Sequence, residues 1–502
     1  MLEKEAMGHG VDNDRHSGCR MRPLLGMLAF VALAVSTCAG RQVPRTSASP
    51  VALFHGSVSL QTLGGGPPPK GNLAVYWMLP NEVRQDADKT RWSATSMRAI
   101  RNLTSRVLAF PNIDLAMTTK VDFHISAPRD ALLFALLDTH QRTFNALIDG
   151  TLSGDWIGVA LSDGTNDRRD ILLSPVTATA VHKEQCAGPR DRLEVIDAPE
   201  VAGSIGNETK RRLCVHLPSD YETNAGRRYP VVYVLPGFSG NDSGGSVGLV
   251  FQAADEAPSE RQAIFVGVNI ATKFAVSYLV KSPLSGDFDS FLSERVTAFI
   301  DGKYRTIAEA TSRGLIGQST GGLGVISLAL RHSDRFGIVA VSSSDALDFA
   351  SWMLLPDGRH IVPLALDLLR LDDAFGPPGQ MASYAADWSP DPKSRWGVRW
   401  PANPSTGEII AEVWQRWLKQ SPSELIKDPV ILNAARERLS GKIYLAAGTA
   451  DDFDLFAPTK LFSEELLAAG VNNRFVPDGE NHGGSIVRKR GMVSFVLGTL
   501  RR

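Results

Sequence analysis

The chain has 502 residues, 43% hydrophobic and 21% charged, an ordinary globular composition long enough for two or three domains with cores of their own. A formal net charge of -1 gives no electrostatic reason to bind nucleic acid. Neither Cys-x-x-Cys nor His-Glu-x-x-His occurs, so no metal and no cofactor is expected.

Residues 1–43 read as a targeting leader. Arg20 and Arg22 precede the apolar run PLLGMLAFVALAV and the small-residue stretch STCAG, the order of a secretory signal, and the run is too short to span a bilayer comfortably. The polar residues ahead of Met21 are unusual for a signal, which makes Met21 the expected start. Cys38, after Val35, Ser36 and Thr37, resembles a bacterial lipobox and is a candidate lipid-anchored first residue; Thr37 departs from the usual Gly, Ala or Ser, so simple cleavage and release is the other reading. The expected location is exported: periplasmic, anchored to the envelope, or secreted. Apart from Cys19 and Cys38 the cysteines are Cys186 and Cys214, which form a disulfide or stand as two small buried apolar side chains.

From about residue 51 to 185, short alternating runs such as ALFHGSVSL and LAFPNIDLAMTTKVDFHISAP are broken by Gly, Pro and Asn-Asp, which predicts antiparallel strands and a β-sandwich-like domain over 44–204. The segment ALLFALLDTHQRTFNALI fits either a helix or a buried strand with a connecting loop. The Gly and Pro triplets at 64–69 mark a loop.

Beyond about residue 205 the pattern changes to solid apolar runs, VVYVL, AIFVGVNI, GLIG, FGIVAVSS and IYLAAG, separated by helical stretches such as DFDSFLSERVTAFIDGKY and PTKLFSEELLAAG. Continuous apolar strands alternating with helices predict an α/β domain over 205–502, with a mostly parallel sheet covered on both faces. The basic cluster Arg488, Lys489, Arg490 falls in the last helix and reads as a solvated face.

Two serines sit in a Gly-x-Ser-x-Gly frame, Ser246 and Ser319. Such a serine is reactive when a strand, a sharp turn and a helix lift its hydroxyl above the sheet. Ser319 has that setting, in GLIGQSTGGLGVISLALRHS. Ser246, in GFSGNDSGGSVGL, reads as part of a flexible glycine-rich connection. A hydroxyl needs a base, and the base an orienting carboxylate. His482, in the loop after NNRFVPD, is the candidate base. Asp451 is the candidate acid, with its neighbour Asp452 as the alternative. Backbone amides of Thr320 and Phe238 are the candidate oxyanion donors.

These residues carry a family resemblance. RLCVHLPSDYETNAGRRYPVVYVLPGFSGN, GDFDSFLSERVTAFIDGKYRT, GLIGQSTGGLGVISLALRHSDRFGIVAVSSS, YLAAGTADD and ENHGG, in that order, resemble the esterase family of α/β-hydrolases. That family includes esterase D, feruloyl esterases, enterochelin-type esterases and mycolyltransferases. The likeness runs over roughly 210–345 and 440–485. It implies Ser319 as nucleophile, Asp451 as acid and His482 as base, acting on a small-molecule or glycan-linked ester. Pro236-Gly237 departs from the usual His-Gly or Asp-Gly of the oxyanion loop, and 346–440 is long for the family. That insert holds six of the nine tryptophans, Trp352, Trp388, Trp396, Trp400, Trp414 and Trp417, and reads as a lid over an apolar acyl site or as a helical cap with its own core. The expected activity is that of a serine esterase; acyl transfer by the same residues, or a binding protein on a hydrolase scaffold, are the alternatives.

Overall fold

The computed structural model describes residues 50–60, 69–85, 92–94, 106–115, 120–139, 156–160, 167–175 and 186–502 except 239 and 378. The leader, with Cys19 and Cys38, lies outside the described residues. Among the described residues no helix is long and apolar enough to cross a membrane.

The N-terminal region is β-rich. Strands β1 (Val51–Leu60), β2 (Lys70–Met78), β3 (Val107–Asp114), β4 (Lys120–Pro128), β5 (Leu132–Asp138), β6 (Trp156–Ala160) and β7 (Ile171–Pro175) form one hydrogen-bonded sheet in the order β3-β2-β5-β6-β7-β1-β4. All neighbours run antiparallel except β1 and β7. Strand β7 pairs with β1 through Ile171–Leu173 and with β6 through Ser174 and Pro175, so the sheet curls there and β4 packs on β2 across the core. In β4 the alternation is clean: Val121, Phe123, Ile125 and Ala127 face inward and the residues between them face solvent.

The ambiguous segment ALLFALLD is strand β5, not helix; residues 140–148 lie outside the described set. Its apolar run is unbroken because both faces are covered. Leu133, Ala135 and Leu137 enter the core of the curled sheet, while Phe134 and Leu136 join the core of the C-terminal region.

The second sheet contains β8 (Asp191–Asp197), β9 (Lys210–His216), β10 (Val231–Leu235), β11 (Ile264–Val268), β12 (Arg313–Gln318), β13 (Ile338–Ser342), β14 (Ile443–Gly448) and β15 (Arg474–Asp478), ordered β8-β9-β11-β10-β12-β13-β14-β15. It is a mixed sheet: β8 and β9 are antiparallel to their neighbours, and the rest pair in parallel. It starts at Asp191, ahead of residue 205. Alternate residues of one strand enter different cores, Val231, Tyr233 and Leu235 on one face and Val232 and Val234 on the other. This two-sided burial is why the strand sequences are apolar throughout. Helices α1 (Gly245–Asp255) and α7 (Ile486–Thr499) cover one face; α2 (Thr320–Arg331) lies on the other, buried at every position from Thr320 to Leu330.

The insert between β13 and β14 contributes α3 (Pro363–Phe375), α4 (Gln380–Trp388) and α5 (Ala411–Leu418), and α3 packs on β3. Trp352, Trp388, Trp414 and Trp417 are buried, and Trp396 and Trp400 pack beside them. Their core is continuous with that of the sheet rather than separate. Helix α6 (Phe456–Ala468) follows β14.

Cys186 and Cys214 form a disulfide with Cα atoms 5.5 Å apart. Cys214 is in the middle of β9, fully buried, so the bridge pins the chain ahead of β8 to the sheet. Closing a loop with a sequence separation of 28 restricts the unfolded chain by roughly 3–4 kcal/mol. Reduction should therefore lower the urea unfolding midpoint by an amount equivalent to about 3 kcal/mol. An unchanged midpoint in reductant would show that the bridge contributes nothing.

Candidate active site

Strand β12 ends at Gln318 and α2 begins at Thr320, leaving Ser319 alone to turn the chain. Its φ and ψ of 53° and -124° lie where residues other than glycine are strained. The turn closes only because the residues two positions to either side, Gly317 and Gly321, carry no side chains. A Cβ on Gly317 would stand 2.3 Å from the Gly321 carbonyl oxygen, and one on Gly321 would stand 2.3 Å from that of Pro236.

The hydroxyl so presented meets the residue expected as base. Ser319 Oγ is 3.0 Å from His482 Nε2, and His482 Nδ1 is 3.1 Å from Asp451 Oδ2. All three are buried, at 7, 8 and 8% exposure for Ser319, Asp451 and His482, so their interactions are shielded from bulk water. Burial pushes the Asp451 carboxyl up, but its bonds to His482 and to the Phe453 amide outweigh this and hold its pKa below the usual carboxylate value. The Phe453 ring stands edge-on to the imidazole, centroids 4.7 Å apart. Asp452 takes no part in this chain; its carboxylate accepts from the backbone amide of His482 at 3.4 Å. Adjacent residues on one loop face different ways, so Asp451 meets the imidazole and Asp452 the backbone amide.

Phe238 and the loop after β10 border the site, and a Cβ on Gly237 would lie 3.3 Å from that of Ser319. Thr320 is the first residue of α2, where an amide has no acceptor within the helix. The cavity above Ser319 measures about 420 Å³, with apolar walls from Phe238, Leu249, Trp352, Phe453 and Leu455. Of the six tryptophans of the insert, Trp352 alone reaches it. Ser246 also lines it, from the first turn of α1 rather than from a flexible connection. A larger open groove of about 970 Å³, bordered by Asp197, Glu200, Asp287, Glu294 and Arg295, has no serine–histidine pair among the described residues and lies on other elements.

Two groups at the site escape a reading of the sequence. Asp345, just past β13, accepts a hydrogen bond from Ser319 Oγ at 3.0 Å. The only signal for it was position, a carboxylate at the carboxyl end of a strand. The second is Lys489. The cluster Arg488, Lys489, Arg490 is not a solvated face, since Arg488 and Lys489 are 4 and 1% exposed and only Arg490 reaches solvent, paired with Glu256. Arg488 grips Asp478 at 2.6 and 2.7 Å and donates to Ser343 Oγ at 2.8 Å. Lys489 Nζ donates to Gln318 Oε1 at 2.6 Å, with Ser342 Oγ and the Gly483 carbonyl at 3.3 and 3.4 Å. Gln318 in turn donates to the carbonyls of His482 and Gly483 at 3.4 and 3.2 Å. The first turn of α7 thus fastens the histidine loop to the strand that ends at Ser319.

A strand, a strained serine turn and a buried helix, with histidine and aspartate on loops after later strands of the same sheet, define an α/β-hydrolase-like protein. A family model described as "Putative esterase" matches residues 204–477. The chain belongs to that family of esterases. Similar solved structures include a ferulic acid esterase, with 18% identity over 62% of this chain and 98% of the other and a TM-score of 0.42. Others are the fluorophosphonate-binding serine hydrolase F of Staphylococcus aureus (14%, 61% and 98%, TM-score 0.40) and an S-formylglutathione hydrolase of Agrobacterium tumefaciens (13%, 62% and 95%, TM-score 0.37).

Burial, then the neighbouring Arg488, pulls the Lys489 pKa down to about 7, against the attraction of Glu480 and Asp478. Between that value and the ordinary lysine value of 10.5 the unfolded chain holds a proton that the folded chain has released, so stability rises with pH across this window. In urea unfolding, the stability of the native protein should gain on that of Lys489→Met as the pH is raised from about 7 to about 10. Parallel profiles would mean that the amine stays charged in the fold.

Proposed function

We infer that Ser319, His482 and Asp451 act together as the catalytic triad of an exported esterase. Ser319 Oγ attacks the ester carbonyl carbon while His482 Nε2 takes its proton. The proton passes to the alcohol oxygen as the ester C–O bond breaks. Water, deprotonated by the same imidazole, then releases the acid. Asp451 holds the ring with Nε2 toward the serine and stabilises the imidazolium. The amides of Thr320 and Phe238 stabilise the oxyanion, helped by the positive end of α2.

The observation that carries this reading is the unbroken run of hydrogen bonds from Ser319 through His482 to Asp451, at 3.0 and 3.1 Å, at the base of a cavity of ligand size. Export, with or without a lipid on Cys38, is supported by the leader pattern and by the disulfide, a bond kept in oxidising compartments. On this reading the β-rich region over 51–175 precedes the catalytic region, whose sheet begins at Asp191 rather than at residue 205.

Ser319→Ala should abolish labelling by a fluorophosphonate probe and lower p-nitrophenyl ester hydrolysis by at least about 10⁴-fold, whereas Ser246→Ala should keep both. Labelling that survives Ser319→Ala would overturn the assignment. Asp451→Asn should reduce kcat by about 10²- to 10⁴-fold, and Asp452→Asn by no more than a few-fold. Equal losses in the two variants would show that the imidazole does not depend on Asp451 in particular.

A further inference from the structure

One wall of the cavity carries a carboxylate that the triad leaves unused. Asp345 is 2% exposed and borders the cavity, and its two oxygens are employed unequally. Oδ2 accepts from the Tyr384 hydroxyl at 2.7 Å, the Thr320 hydroxyl at 3.1 Å, the Gln380 amide at 3.2 Å and the Tyr278 hydroxyl at 3.3 Å. Oδ1 accepts from Ser319 Oγ. Burial, then the Asp345 charge, raises the pKa of both tyrosines, so both remain donors. Four donors on Oδ2 hold the carboxylate in one orientation, and Oδ1 is thereby aimed at the reacting oxygen.

That hydroxyl owns a single proton, and His482 must take it. Once Oγ bonds to the acyl carbon it has no hydrogen to give, and Oδ1 is left in a buried site without its donor. The α-carbon of the acyl group is then bonded to the carbon attached to Oγ, so a donor on that α-carbon comes within hydrogen-bond reach of Oδ1 when the α-carbon is turned toward the Asp345 wall. An unsubstituted alkyl group leaves Oδ1 bare, and an acidic one is repelled.

We propose that Asp345 determines specificity, its Oδ1 accepting a hydrogen bond from a hydroxyl or ammonium group on the α-carbon of the acyl chain, so that the enzyme takes esters of α-hydroxy or α-amino acids. This rests on the reading of Ser319 as the acylated residue. Trp352, Phe453 and Leu455 line the same cavity, and an acyl group seated there would meet them with a compact apolar remainder.

The test compares p-nitrophenyl lactate with p-nitrophenyl 2-methoxypropionate, which have a similar electron-withdrawing oxygen but differ in the donor; p-nitrophenyl alaninate against propionate forms the ammonium arm. For each ester the rate is divided by its rate in hydroxide. The native enzyme should prefer lactate or alaninate by at least about tenfold in kcat/KM, since a site built to bind a donor rejects the analogue without it. In Asp345→Asn the amide oxygen must stay with the four donors and the amide NH₂ must replace Oδ1, so an acceptor becomes a donor. The preference for lactate should then fall to about one or reverse toward the methoxy ester, a ratio taken within the variant so that any change in its overall rate cancels. Intact labelling of the native enzyme with ratios near one in both arms overturns this inference alone, whether or not the variant folds. Absence of labelling overturns the reading of Ser319 and this inference with it. A preference that persists unchanged in a folded Asp345→Asn places the recognition elsewhere and also overturns it.

Discussion

The single-residue turn at Ser319 is the constraint on which the site depends. A strained backbone of this kind costs about 1–3 kcal/mol and persists only where its surroundings over-determine it. Here they do. The Ser319 amide donates to the Ser342 carbonyl at 3.1 Å, and its own carbonyl accepts from the amides of Gly322, Leu323 and Asp345 at 2.8, 3.1 and 3.0 Å. The turn is thus built into β13 and α2 together. Because strand gives way to helix within one residue, the positive end of α2 faces the hydroxyl, and the bare flanks at Gly317 and Gly321 let the loop after β10 close over it.

What places His482 against that hydroxyl is polar rather than apolar. The histidine loop carries little hydrophobic surface of its own, and it is fixed by the carbonyls of His482 and Gly483, held by Gln318 and Lys489. A charged amine buried there would bear a large desolvation cost; a neutral one still donates hydrogen bonds, which is the form that burial favours. The adjacent Arg488 keeps its charge company with Asp478 and anchors the end of β15 to the segment after β13. Polar ties of this kind specify direction as well as distance, and catalysis through a shared proton requires both.

The same physics explains what was legible in the sequence. Parallel strands covered on both faces leave unbroken apolar runs, so the strands of the second half stood out, and strand context separated Ser319 from Ser246. Strand β5 was ambiguous for the same reason, since a run buried on both faces loses the alternation that marks a strand. Arg488 and Lys489 were misread because a residue type reports only its usual environment, and the burial of these two depends on carbonyl and carboxylate partners far away in sequence. The tryptophans of the insert fitted either a lid over the site or a cap with its own core, and most of them are buried in the core shared with the sheet, where Trp388 and Trp417 meet edge to face at 5.5 Å. Asp345 left almost no trace, because its partners come from the loop holding Tyr278, from α2 and from α4.

Asp345 and His482 compete for one proton, each at 3.0 Å from the same oxygen. In the resting enzyme a hydroxyl turned toward Asp345 is held but not activated, because the carboxylate stabilises the ground state without advancing the proton toward a leaving group. An interaction shared equally by ground and transition states does not accelerate the chemical step, and one made only in the ground state slows it. A substrate that brings its own donor to Oδ1 changes this balance: it displaces the serine hydroxyl from the carboxylate and leaves the histidine as its only acceptor. On the proposed reading, recognition of the acyl group and activation of the serine are the same event, coupled through an oxygen whose four-donor partner cannot turn away.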